Sequence, residues 1–433
     1  MKLNKYKLID VATCEISNID KKTKSGEQAV QLCNFTDVYY NWAVTESMSD
    51  KFMVATASDS QISKLSLKKG QVAITKDSET RHDIGIPCYI ADTFKDCVLG
   101  YHCALITPNS ELLDGRYLNA YLNSKLAKEY FANNATGSGM RYSLSVDTIK
   151  DIILYLPDIE TQRAIGEIFS NIDRKITLNR EINRNLEAMA RQLYDYWFVQ
   201  FDFPDENGRP YKSSGGKMVW NEKLKREIPE GWCVDNILSI CEIKVGGTPS
   251  KSNNIYWDNG TIPFFGPTDV SDNIYQLDTI DHITHEGLAH CASSLFQIGD
   301  VILTARGSIG KMVIVGEPMA MNQSCYALVP KYPNTPYLYF LSKELIEWLK
   351  AKGSGSVFKS FNAQDVEYSQ LCIAPRTIIT KFCNSVNCLF EQLRLHTQEI
   401  TKLITQRDEL LPLLMNGQVS VMPTEVNCDL ALD

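Results

Sequence analysis

The chain has 433 residues, 44% of them hydrophobic, with a formal net charge of −8. That length and composition leave room for two or three domains with real cores, and the acidic balance argues against a nucleic-acid binder that works with its whole surface, though not against one with a local basic face. The start, MKLNKYKLIDVATCEIS, lacks the apolar run and cleavage site of a secretory signal, and no later segment approaches a membrane span, so a cytoplasmic protein with no membrane partner is expected. The thirteen cysteines are scattered singly with no Cys-x-x-Cys pair, which predicts neither disulfides nor a zinc site.

In chain order, residues 1–157 read as a strand-rich globule. Alternating apolar residues such as GQVAITKD from Gly70 are punctuated by Gly and Pro, and one helical segment, GRYLNAYLNSKLAKEYFA, begins at Gly115. Residues 158–203 change period. A seven-residue spacing puts Ile165, Ile172, Asn179, Leu186 and Leu193 on one row and Ile168, Lys175, Ile182, Met189 and Tyr196 on the next, the pattern of a coiled-coil seam. Residues 204–375 return to strands (GDVILTAR, KMVIVGE) with one helix, TPYLYFLSKELIEWLKA. Residues 376–421 repeat the seam with Ile379, Val386, Leu393, Ile400, Arg407 and Leu414 beside Phe382, Leu389, His396, Leu403 and Leu410, and 422–433 are a tail. A narrow seam sustained this long seeks another helix more than its own globule's core.

The order globule, helix, globule, helix is an internal repeat. NATGSGMRYSLSVDTIKDIILYLP, ending at Pro157, has a companion in KAKGSGSVFKSFNAQDVEYSQLCIAP, ending at Pro375. Thr36-Asp37-Val38 matches Thr268-Asp269-Val270, Gly70-Gln-Val matches Gly299-Asp-Val, and Ala104-Leu105 matches Ala327-Leu328, all in the same order. The expected fold is therefore α+β: two similar strand-rich domains joined by two long helices in an antiparallel coiled coil, with a pseudo-two-fold relation.

No catalytic constellation emerges. ARGSIGK, ending at Lys311, has Ala305 where a phosphate loop needs its first glycine and Met312 where it needs Ser or Thr. His282, His285, His290 and Cys291 form the densest ligand cluster, but without a second ligand pair they read as surface or DNA-facing residues. A duplicated globule with no active site suits holding two things at a set distance.

LYDYWFVQFDFPDENGRPYKSSGGKMVWNEKLKREIPEGW from Leu193 to Trp232, with VGGTPSKSNNIYW, IPFFGPTDV, GDVILTARGSIGK, MNQSCYALVP and LPDIETQRAIGEIFSNIDRKI, resembles the specificity subunit of type I restriction–modification systems from about Gly70 to Val419. The resemblance implies a non-catalytic subunit whose two target-recognition domains read the halves of a split double-stranded DNA site. It also implies helices that dock two modification (methyltransferase) subunits, with motor-nuclease subunits joining for restriction. No cofactor is expected in this chain, S-adenosylmethionine belonging to the modification partner. The first globule departs from the pattern in lacking the Pro-x-Gly-Trp entry, and Thr380 stands where the first helix has Gln162. A two-headed DNA-binding regulator acting alone is the alternative; a docking subunit, unlike a regulator, is expected to leave Trp197, Phe198 and Phe201 needing cover.

On this reading phosphate contacts set the register and a few side chains read base edges. The candidates are the polar or basic residues in loops that each copy repeats: Lys76, Ser78 and Arg81 against Arg306, Ser308 and Lys311, and Ser138, Arg141 and Tyr142 against Ser354, Lys359 and Ser360.

Overall fold

The computed structural model describes residues 3–137, 139, 141–271, 273–307, 309–352, 360–419 and 421. The chain forms two compact units, Met1–Thr177 with Lys402–Asp433, and Leu178–Thr401. Among the described residues no helix is long and apolar enough to cross a membrane.

In the first unit a five-stranded sheet runs in the order Ala12–Ile16, Cys103–Pro108, Val72–Thr75, Pro87–Ile90, Ala43–Val44. Its pairs are antiparallel except the last. Side chains alternate across a strand, so Val72, Ile74, Ala104 and Ile106 enter one core with Tyr117, Phe131 and Phe169, while Ala73, Cys103 and Leu105 enter another with Val30, Leu32 and Val98. Burial on both faces is why these strands read as continuous apolar runs. The second core is closed by a smaller sheet in which Gln28–Cys33 lies between Met53–Ala57 and Cys97–Leu99.

The second unit repeats this plan. Its sheet order is Cys241–Val245, Cys325–Pro330, Val301–Thr304, Met312–Val315, Tyr275–Gln276, again antiparallel except the last pair. Ile262–Phe265 pairs with His282–Ile283 and, in parallel, with Ala320–Met321. The matched turns are alike in detail. The carboxylates of Asp37 and Asp269 each accept the backbone N–H three residues earlier, of Asn34 and Gly266, at 2.7 Å. Gly70 and Gly299 hold φ of 95° and 98°, a left-handed backbone that only glycine adopts at little cost. One match shifts by a residue: Ile106 pairs with Val72 and Leu328 with Val301, so Ala104-Leu105 corresponds to Tyr326-Ala327.

The first-globule helix is two helices, Gly115–Asn123 and Lys125–Asn134. Between them Ser124 turns extended and its hydroxyl accepts the Ala127 N–H, capping the second and ending the first.

The long helices span Ile159–Tyr194 and Arg376–Met415. In the second unit they run antiparallel, since Asn179 bonds Glu399 while Asn183, one turn on, meets His396 and Thr397. Of the rows expected on the first helix, Ile165 and Asn179 are buried, but Lys175, Met189 and Tyr196 on the second row are exposed, Met189 by 56%. The true second row lies one residue later, at Phe169, Ile176, Asn183, Ala190 and Trp197. Ends of both helices also enter the cores of their own units, Phe169 and Leu414 in the first, Tyr194 and Phe382 in the second.

Trp197, Phe198 and Phe201 are only 6%, 4% and 3% exposed, against the expectation that they await a partner. Their cover is the second unit itself. Phe198 packs against Tyr337, Phe382 and Trp232 with ring centroids 4.7, 5.0 and 5.9 Å away, and Phe201 meets Trp232 edge-on at 5.3 Å.

Candidate nucleic-acid interface

In each unit the two central hairpin strands leave the sheet at a buried threonine. Thr75 accepts the Ile86 N–H at 2.9 Å and Thr304 the Lys311 N–H at 3.2 Å, so each hydroxyl closes the mouth of a loop, 76–85 in one unit and 305–310 in the other. The next residues are stitched alike. The N–H of Lys76 donates to the His102 carbonyl and that of Ala305 to the Ser324 carbonyl, both at 2.9 Å, and the carbonyls of Lys76 and Ala305 accept from Leu144 and Phe361. Asp77 in the first unit thus corresponds to Arg306 in the second, and His102 to Ser324.

The first unit brings its candidates together. Asp77–Ser78 pairs with Tyr142–Ser143, setting Ser78 opposite Tyr142, and the Arg81 guanidinium lies 5.3 Å from the Tyr142 ring centroid. Arg141 Nη2 is 3.2 and 3.3 Å from the two ring nitrogens of His102, whose Nδ1 is 2.5 Å from Asp77 Oδ2. Lys76 is mostly spent inside the protein: its ammonium is 2.9 Å from Asp77 with both side chains 12% exposed. Burial pushes the Asp77 carboxyl up, but hydrogen bonds from His102, Ser143 and Lys76 outweigh it and hold it below the usual carboxylate range. Asp77, Ser78, His102 and Arg141 border a cleft of about 580 Å³ that Phe35, Thr36, Tyr39 and Tyr40 also line, with the Tyr39 hydroxyl donating to Asp83 at 2.6 Å.

In the second unit Arg306 and Lys311 are exposed on the 305–311 loop, and Ser360 is exposed beside Phe361, whose backbone is tied to Ala305. A Cβ on Gly310 would stand 2.7 Å from Ile346, so the loop packs tightly at that end. Ser138, Ser308, Ser354 and Lys359 lie outside the described residues. The histidine cluster is dispersed into local contacts: His282 Nε2 lies 2.7 Å from Asp278, His290 stacks on Tyr256 and donates to the Glu286 carbonyl, and Cys291 donates to the Leu288 carbonyl. Among the described residues no group of three or more His, Cys, Asp and Glu side chains is disposed to hold a metal.

Sequence reasoning passed over Asp77, His102, Tyr39 and Tyr40. No local pattern marks them, because the cluster forms only when the strand register sets Lys76 against His102. The ensemble offers guanidinium and hydroxyl donors beside aromatic faces, the equipment for base edges and phosphates.

The chain matches the family described as type I restriction modification DNA specificity domain over residues 4–188 and 229–376. It is similar to the type I restriction enzyme HindI specificity subunit of Haemophilus influenzae, 24% identical over 407 residues, 82% of this chain and 88% of that one. It is also similar to the MjaIX specificity subunit of Methanocaldococcus jannaschii, 26% identical over 314 residues, 70% of this chain and 69% of the other. The fold is similar to that of the type I restriction-modification system S subunit from M. genitalium, at TM-score 0.55 and 14% identity over 96% of each chain.

Proposed function

The chain belongs to the type I restriction–modification DNA specificity family, and we propose that its two units read the two halves of a split double-stranded DNA sequence. It is a recognition component, not a catalyst. The observation that carries the reading is the repeat: one sheet order occurs twice, and each copy ends its central hairpin in the same stitched loops with different side chains on them. Equal scaffolds give equal docking on equivalent stretches of duplex; unequal side chains give each half its own sequence.

Its partners are DNA and the modification and restriction subunits of the complex. Two modification subunits dock on the long helices, and the methyl donor S-adenosylmethionine binds to them rather than to this chain. With Trp197, Phe198 and Phe201 buried, the exposed apolar side chains available for such docking in the second unit include Leu178, Met189, Tyr196, Val199 and Leu395, between 36% and 56% exposed. On the DNA side, Arg81, Arg141, Arg306 and Lys311 with Ser78, Tyr142 and Ser360 supply contacts, whereas Lys76 acts chiefly by fixing Asp77.

Methylome sequencing of cells that make this chain with its cognate modification subunit tests the reading. The expected motif has two specified halves around an unspecified spacer. A continuous motif, or methylation that does not depend on this chain, would overturn it.

A further inference from the structure

We propose that Asp77 and His102 are positioning residues that hold the Arg141 guanidinium for readout of a guanine edge in one half of the DNA site. The inference rests on the reading above and names the part of the first unit that selects a base.

Arginine only donates hydrogen bonds, so a histidine beside it must offer a lone pair. Asp77 decides which nitrogen does so. Its carboxylate, 2.5 Å from His102 Nδ1, accepts the hydrogen bond of the Nδ1–H and leaves Nε2 as the ring's acceptor, while Arg141 Nη2 lies against the ring, 3.2 Å from Nδ1 and 3.3 Å from Nε2. Asp77 is itself anchored by Lys76 and by the backbone ladder in which it faces Ser143. His102 sits at φ 72°, a left-handed conformation uncommon for residues other than glycine, and its carbonyl is tied to the Lys76 N–H. Every element beneath Arg141 is thus fixed, while Arg141 itself is exposed at the rim of the cleft. One Nη2 proton is engaged by the histidine, and the remaining guanidinium donors are left in a fork, the geometry that matches O6 and N7 of guanine.

The second unit reaches an arginine by another route. At the positions of Asp77 and His102 it carries Arg306 and Ser324, so its arginine is exposed on the hairpin loop itself, with no carboxylate–histidine support among the described residues. A support present in one unit and replaced in the other is a reason for the two halves of the site to differ.

The test uses the full complex with its modification subunit and reads the methylated motif. Arg141→Ala, His102→Ala and Asp77→Asn are expected to relax the same guanine position in one half, with at least a tenfold fall in preference there, and to leave the other half unchanged. His102→Gln, which keeps a donor for Asp77 and an acceptor for Arg141, is expected to restore much of the preference. The untouched half is the control for folding, because a damaged fold lowers methylation without loosening one position. If His102→Ala and Asp77→Asn leave the motif of an active complex unchanged, the positioning role is wrong. If Arg141→Ala weakens binding equally on all sequences and lowers the salt dependence by about one phosphate, the arginine contacts the backbone and the guanine assignment fails. Either result leaves the split-site reading intact provided Arg306→Ala still relaxes a half; a parent motif that is not split would remove that reading itself.

Discussion

Asn179, 1% exposed between the long helices, donates from Nδ2 to Glu399 Oε2 at 2.7 Å. A hydrogen bond to a charged acceptor contributes about 1.5 to 3 kcal/mol, and losing one partner costs more than replacing both. Asn179→Leu, which removes this hydrogen bond, is expected to destabilise the chain by that amount in urea unfolding. A single variant as stable as the parent would mean that the pair adds nothing to the seam.

Glu344 bonds the buried Tyr194 hydroxyl at 2.7 Å. Burial pushes its carboxyl above the ordinary glutamate range, partly opposed by the Tyr194 hydrogen bond and by Arg226 and Arg191. A carboxyl raised in the folded state favours folding below its unfolded pKa, and that contribution is lost as pH rises through the folded value. Glu344→Gln, which can still accept from Tyr194, is therefore expected to raise the melting temperature at pH 7 and to change it little near pH 4. Thermal melts at the two pH values measure this, and a gain confined to low pH would contradict it.

The glycines of VGGTPS answer a packing demand. A Cβ on Gly246 would stand 2.0 Å from the Asn322 carbonyl oxygen and 2.7 Å from that of Met321, and backbone cannot step aside as a flexible side chain can. Gly246→Ala is expected to cost about 1 to 3 kcal/mol, the usual range for overpacking, in denaturant unfolding.

The equivalence of the two loop sets predicts separable effects on DNA. Arg306→Ala is expected to relax one half of the recognised sequence and Arg141→Ala the other, each by about 1 to 3 kcal/mol of discrimination at one base pair. Motif sequencing of the two variants decides it. Both acting on the same half would break the assignment of one half to each unit.

The repeat, the strand-rich character of both halves and the places of the long helices were legible in the sequence, because they rest on local patterns: two-residue alternation, seven-residue spacing, and glycines where φ must be positive. The second seam row was not. Ile168, Ile182 and Met189 are as apolar as the true row of Phe169, Ile176 and Ala190, and a periodic pattern with apolar residues on both flanks does not say toward which flank the partner helix lies. Only packing decides, and it turned Met189 outward. The aromatic run at Trp197 was equally ambiguous, since a cluster bound for a partner and one bound for its own core have the same composition. Here the distant residues Tyr337 and Phe382 fill the space. The candidate site divides along the same line. Basic residues in repeated loops could be found by reading, but the support of Arg141 by His102 and of His102 by Asp77 joins three segments far apart in the chain. Strand register and a left-handed turn, neither of which leaves a local trace in sequence, brought them together.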